Sequence, residues 1–228
     1  CSYNNRVTDK NKTKITLADA YNVVTPDDSR DLYGRWASTY DKTFVEDNKY
    51  IYPQMVARVL AKHMPEDRSF TVIDVGCGTG ALGEAIVNVR PKSEIEGVDI
   101  SSAMLEVAKT KLRADGSNVY SELHEADLTE TIYFAANYFD FLVSAGAFTI
   151  GHLGAYELID LLCVCRSGAT IVVGVNGQHW ENDDFASAIT EAVNSKTITK
   201  PQYEEVDIYG EGSEHHGDKG RVVIFKKV

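Results

Sequence analysis

From Phe70 to Val75 every position but Asp74 is apolar or β-branched, and the chain then breaks into three alternating glycines, Gly76, Gly78 and Gly80. That pattern predicts a buried strand ending in a tight turn. Ala81 to Val87 follows at helical spacing, with Leu82, Ile86 and Val89 on one stripe. A second strand is expected over Glu94–Asp99, then a helix capped by Ser101 and running from Ser102 to Ala108. A third strand, around Asn118 to Glu125, leads to Ala126-Asp127-Leu128, and a fourth, Phe139 to Ser144, runs into the small-residue turn Ala145-Gly146-Ala147. Leu153 to Cys165 reads as an amphipathic helix ended by Ser167-Gly168, Ala169–Val175 as a fifth strand, and Glu181–Asn194 as a helix. After Lys200-Pro201 come a sixth strand, Tyr203–Tyr209, and a last one, Arg221–Lys226. The polar stretch Gly210–Gly220 joins these two without a helix, which suits an antiparallel hairpin. Alternating strands and helices place the chain in the α/β class, with a doubly wound sheet.

Ahead of this core lies a helical layer. Thr25-Pro26-Asp27-Asp28 starts a helix, with Thr as cap, Pro first and acids in the first turn. It is expected to run through Tyr40, which sets Tyr33, Trp36 and Tyr40 on one stripe. Tyr52-Pro53 opens another, with Met55, Val56, Val59, Leu60 and Met64 as its apolar face. Residues 1–24 are expected to be a loose tail, 25–66 the helical layer and 68–228 the core of a single domain.

Composition alters this picture little: 43% hydrophobic and 25% charged residues are ordinary for a globular chain of 228 residues. A net charge of −11 argues against nucleic acid as a partner, which would need a basic footprint. No apolar run approaches the roughly 18 residues of a membrane span. The cysteines, Cys1, Cys77, Cys163 and Cys165, form neither a disulfide framework nor a zinc pattern, so a reducing cytoplasm is expected.

The chemistry concentrates around the glycines. Glycine at such a turn lets a ligand lie against bare backbone, and Asp99, 19 positions after Gly80, suits a ribose hydroxyl pair. Asp74 with Gly76, Gly78 and Gly80, then Asp99, then Asp127, resemble the class I S-adenosylmethionine (SAM) dependent methyltransferases over roughly residues 68 to 175. A dinucleotide-binding dehydrogenase fits the glycines only loosely, and a doubly wound domain binding nothing leaves the three acids without a purpose. The resemblance implies a Rossmann-like, seven-stranded mixed sheet with an antiparallel last strand and an N-terminal helical lid. Leu32 to Asp41 and Tyr52-Pro53 also resemble the lid of small methyltransferases related to the Williams–Beuren region methyltransferase-like protein, and Gly146 to His152 fit that group loosely.

By resemblance, Gly76 and Gly78 line the amino-acid tail of SAM, Asp74 orients its ammonium, Asp99 accepts the ribose hydroxyls and Asp127 the adenine amine, with Leu128 and Met104 against the ring. For Met104, core packing is an equal alternative. Cys77, Thr79, Gly80, Ile100 and Ala145 complete the implied cofactor site. Trp36 and Tyr40 either close over the sulfonium, which aromatic faces attract, or pack against the Tyr52 helix. His152 is the candidate base or acceptor contact, or else a loop histidine bonded to backbone. Phe148, Asn176 and His179 are further acceptor candidates, whereas His215 and His216 belong to a solvated loop. Ser144 and Asn176 stand where metal-dependent relatives place acids, so no metal is expected. The implied reaction is methyl transfer to a small-molecule oxygen, nitrogen or sulfur, releasing S-adenosylhomocysteine (SAH), by a monomer or homodimer. A protein acceptor and a non-catalytic SAM sensor are the alternatives.

Overall fold

Strand β1, Thr71–Val75, sits at the centre of the sheet and sorts its side chains onto two cores. Val72 faces one apolar cluster and Ile73 and Val75 the other, because successive strand residues point to opposite faces. A computed structural model describes residues 15–130, 134–149, 151–182 and 185–228. Its seven-stranded sheet has the order β3-β2-β1-β4-β5-β7-β6. Strands β2 (Glu94–Asp99), β3 (Tyr120–Glu125), β4 (Phe139–Phe148) and β5 (Cys165–Asn176) run parallel to β1 through the chain of pairings. β7 (Lys219–Lys226) pairs antiparallel with both β5 and β6 (Gln202–Asp207), which bears out the expected terminal hairpin.

Helix α1 (Leu17–Ala20) is short, so part of the expected loose tail is structured; residues 1–14 lie outside the described residues. α2 spans Pro26–Tyr40 with Thr25 as the expected cap, and the structure adds a reciprocal box: Thr25 Oγ1 accepts from the Asp28 amide, and the Asp28 carboxylate accepts from the Thr25 amide. It passes without a break into a π-helical turn, Asp41–Glu46. α3 (Tyr52–His63), α4 (Ala81–Val89) and α5 (Ser102–Ala108) follow the predicted stripes.

Two expectations need correcting. Ala145-Gly146-Ala147 is not a turn but lies within β4, where pairing with β5 jumps from Ala145↔Gly174 to Phe148↔Val175. The small residues mark a bulge, and Gly146 takes φ +102° there. The expected helix over Leu153–Cys165 shrinks to α6 (Ala155–Asp160) and a 3₁₀ turn, Leu161–Val164, because Cys165 is already paired with Phe139 in the sheet. The later helical region divides into α7 (Gly177–Asn182) and α8 (Phe185–Asn194). Cys77, Cys163 and Cys165 are free thiols, and no described helix is long and apolar enough to cross a membrane.

Candidate active site

A cavity of about 310 Å³ opens where the carboxyl ends of β1, β2, β4 and β5 meet the N-terminal helices. This is where open α/β sheets bind ligands, since strand order reverses there and the loops diverge. After β1, Gly76 and Gly78 hold φ +65° and +54°, conformations that side-chained residues adopt with difficulty. A Cβ on Gly76 would stand 2.4 Å from that of Ala147, whereas one on Gly78 would meet nothing within 4 Å. The turn is therefore clamped on the β4 side and bare on the cavity side.

Asp99, at the end of β2, lines the cavity and accepts from the Gly78 amide (2.9 Å) and the Ser101 amide (2.9 Å), one on each oxygen. It thereby ties the glycine turn to the start of α5, and each carboxylate oxygen keeps a further lone pair for a ligand hydroxyl. Burial pushes its carboxyl up from the ordinary range. Asp127 lines the same wall, held by the Thr129 amide and hydroxyl (3.0 and 2.6 Å), with the Arg30 guanidinium 3.8 Å away. Ile100, Met104 and Leu128 complete this end, and Ala145, Phe148, His152 and Asn176 line the part over β4 and β5.

The stripe of α2 closes the roof. Trp36 is buried, stacks on Tyr33 and meets Tyr40 edge-on at 5.0 Å, while its indole N–H donates to Thr43 Oγ1 (2.9 Å). Tyr33 and His152 share a hydrogen bond of 3.0 Å between the phenol and Nε2. Burial pushes the Tyr33 phenol far up, so it keeps its proton.

Five of the expected site residues are not on the cavity wall. Asp74 is buried behind the turn, where Tyr120 donates to its Oδ2 (2.7 Å) and Oδ1, near the Gly83 amide, closes no hydrogen bond. Burial raises its carboxyl to about 7. Cys77 and Gly80 turn into the β2–α5 packing, where a Gly80 Cβ would meet Tyr120 and Lys111. Thr79 instead ties the turn to the lid: its hydroxyl donates to Asp41 Oδ1 (2.5 Å), and Lys111 Nζ bridges Asp41 and Glu84 at 2.9 Å each. His179 is buried against Phe185, with Nε2 3.0 Å from the Leu153 carbonyl oxygen.

Sequence reasoning missed Tyr21, Phe44, Tyr50, Tyr52 and Tyr209, which all line the cavity. Tyr50 pairs with Tyr209 as an isolated bridge, the Ile51 amide donates to the Ile208 carbonyl, and the Gly210 amide donates to the Lys49 carbonyl. A lid segment is thus stitched to the terminal hairpin some 160 positions away, a contact without a local signal.

Residues 72–167 match the family model described as a methyltransferase domain. The segment holds β1 with its glycine turn, Asp99, Asp127 and β4, the same parts that build the cavity floor. Over these residues the chain is similar to a methyltransferase domain. A malonyl-[acyl-carrier protein] O-methyltransferase of Anoxybacillus flavithermus is 34% identical over 95 residues, covering 41% of this chain and 34% of that one. Another, of Brevibacillus brevis, is 27% identical over 164 residues, covering 67% and 57%. The chain therefore spans between about a third and somewhat over half of the length of these relatives. A TehB-like SAM-dependent methyltransferase from Corynebacterium glutamicum shares the fold, at TM-score 0.56 and 20% identity, covering 90% of this chain and all of that one. The cavity residues fit the cofactor that this fold implies: a bare glycine turn, an acid with spare lone pairs at the end of β2, and a second acid beyond β3.

Proposed function

We propose that this chain transfers the methyl group of SAM to a small-molecule acceptor. The observation that carries the reading is the convergence of the bare Gly76–Gly78 turn, Asp99 and Asp127 on one cavity wall, closed by the aromatic stripe of α2. When bound, SAM supplies an electrophilic methyl on a sulfonium, and displacement in line needs position and a dry pocket more than covalent help.

The chain's own residues divide that work. Asp99 accepts from both ribose hydroxyls, and Gly78 is held in place by the same carboxylate. Asp127 accepts from the adenine amine, with Ile100, Met104 and Leu128 as the apolar walls. Tyr33, Trp36 and Tyr40 exclude water from above and turn ring faces toward the reacting centre. His152 is the one histidine among the described lining residues. With Tyr33 as donor Nε2 is the unprotonated ring nitrogen, and once the Tyr33 hydroxyl turns aside its lone pair takes the proton of an acceptor that must lose one. No metal enters this scheme. The narrower likeness of the lid to the Williams–Beuren region group is supported by α2, whose aromatics lie over the cavity as a lid requires.

The test is calorimetric titration with SAH, with NAD as a parallel control. Micromolar binding of SAH alone supports the reading, and binding of NAD alone overturns it. Binding of SAH with no methyl transfer to any metabolite pool would instead favour a sensor.

A further inference from the structure

The cavity also carries information about the acceptor, and this inference rests on the methyl-transfer reading above. Among the described residues no lysine or arginine lines it, and its carboxylates, Asp99 and Asp127, both stand at the cofactor end. An anionic acceptor would thus find no side-chain counter-charge among the described lining residues, and an ion buried unpaired costs several kcal/mol. A protonated amine fares no better, since it lacks the lone pair needed for attack and would sit beside a like charge.

The shape of the acceptor end is equally selective. Its floor is the β4 bulge, where Gly146 leaves bare backbone and an added Cβ would come within 2.8 Å of the Tyr50 hydroxyl. The opposing wall is aromatic: Tyr50 meets Phe44 at 4.9 Å, Tyr209 at 5.7 Å and Tyr52 at 6.3 Å between ring centroids. The Tyr52 ring lies so close to Gly174 and Gly220 that a Cβ on either would be about 2.5 Å from it, and its hydroxyl donates to the Val175 carbonyl (3.3 Å). That wall is preorganised. Burial pushes the Tyr50 and Tyr52 phenols far up, so they stay neutral and present hydroxyls without charge.

We propose that the acceptor is an uncharged aromatic molecule carrying the attacking hydroxyl or amine, and that Tyr50, Tyr52 and Tyr209 select it against carboxylates and phosphates. A flat ring laid against the cavity side of this tyrosine wall gains offset or edge-on contacts with it. The attacking atom forms its bond to the methyl carbon while the carbon–sulfur bond breaks with its electron pair onto sulfur, and the proton leaves to His152.

The experiment is calorimetric titration of the SAH-saturated chain, near neutral pH, with naphthol and with naphthoate, which share a ring system and differ in charge. Naphthol is expected to bind at least about tenfold more tightly than naphthoate. Tyr50→Leu, checked for native circular dichroism, is expected to weaken naphthol binding by about tenfold. Naphthoate binding as tightly as naphthol, no measurable binding of naphthol, or a folded Tyr50→Leu variant that binds naphthol unchanged would each overturn the proposal. Those outcomes leave the cofactor reading intact, whereas failure of SAH itself to bind takes both down.

Discussion

Replacing Asp74 by Asn should make the ligand-free protein more stable above neutral pH and slightly less stable in acid. Asp74 is 1% exposed, with Tyr120 donating to one oxygen and no hydrogen bond to the other. Burial, reinforced by the nearby Asp99 and only partly opposed by Tyr120, raises the carboxyl from 3.8 to about 7. The folded state therefore holds this proton more tightly than the unfolded chain does. Its stabilising contribution is complete below about pH 4 and is lost as the pH rises through about 7. A difference of roughly 3 units corresponds to about 4 kcal/mol withheld from the wild-type protein once the group is ionised. Asn keeps an acceptor for Tyr120 but turns donors toward the Gly83 amide, which takes back about 1 kcal/mol. The expected gain is thus about 2–3 kcal/mol near pH 8, shrinking in acid to a small net loss of about 1 kcal/mol near pH 4. Urea unfolding of both proteins across that range measures it, with the midpoint shift read at constant slope. A variant that is less stable at pH 8, or whose advantage does not shrink in acid, would refute the account of Asp74 as a buried carboxylate held against its ionisation.

Three further outcomes follow from the same geometry. Asp41→Ala removes the acceptor of Thr79 and Lys111, so the π-helical turn should lose hydrogen-exchange protection and SAH affinity should fall by about three- to tenfold, the worth of one or two hydrogen bonds; unchanged exchange at residues 41–46 would show that the tether holds nothing. Gly76→Ala must place a Cβ 2.4 Å from Ala147 at φ +65°, and a loss of at least about 2 kcal/mol is expected in urea unfolding, while Gly78→Ala, which meets only open space, should lose less stability but more SAH affinity. Tyr33→Phe deletes the hydroxyl bonded to His152; turnover is expected to fall by about tenfold with its pH profile displaced, and an unmoved profile would separate this pair from the proton transfer.

The strand–turn–helix at 70–87, the acids closing β2 and β3, the α2 cap and the terminal hairpin were all legible in the sequence. Each is a local matter: strand alternation, glycine backbone freedom and side-chain caps act within a few residues, so their signals lie within a few residues. For the same reason Gly76, Gly78 and Asp99 could be grouped from their spacing, whereas Asp127 joined them only through the resemblance to class I methyltransferases. Where a local signal competed with pairing, pairing prevailed. The 145–147 segment, with turn-like composition, was drawn into β4, and Cys165 was taken from a helix by its partner Phe139. The sides that residues face were also beyond reach. His179 and Asp74 have the chemistry of a site yet point into packing, because their direction depends on neighbours from β3, α8 and the loop before α6 that only folding supplies. Most of all, the aromatic acceptor wall depends on the 49–51 segment meeting 208–210. Tertiary structure alone decided that contact, since two extended pieces so far apart in the chain carry no mark of one another until the sheet between them has formed.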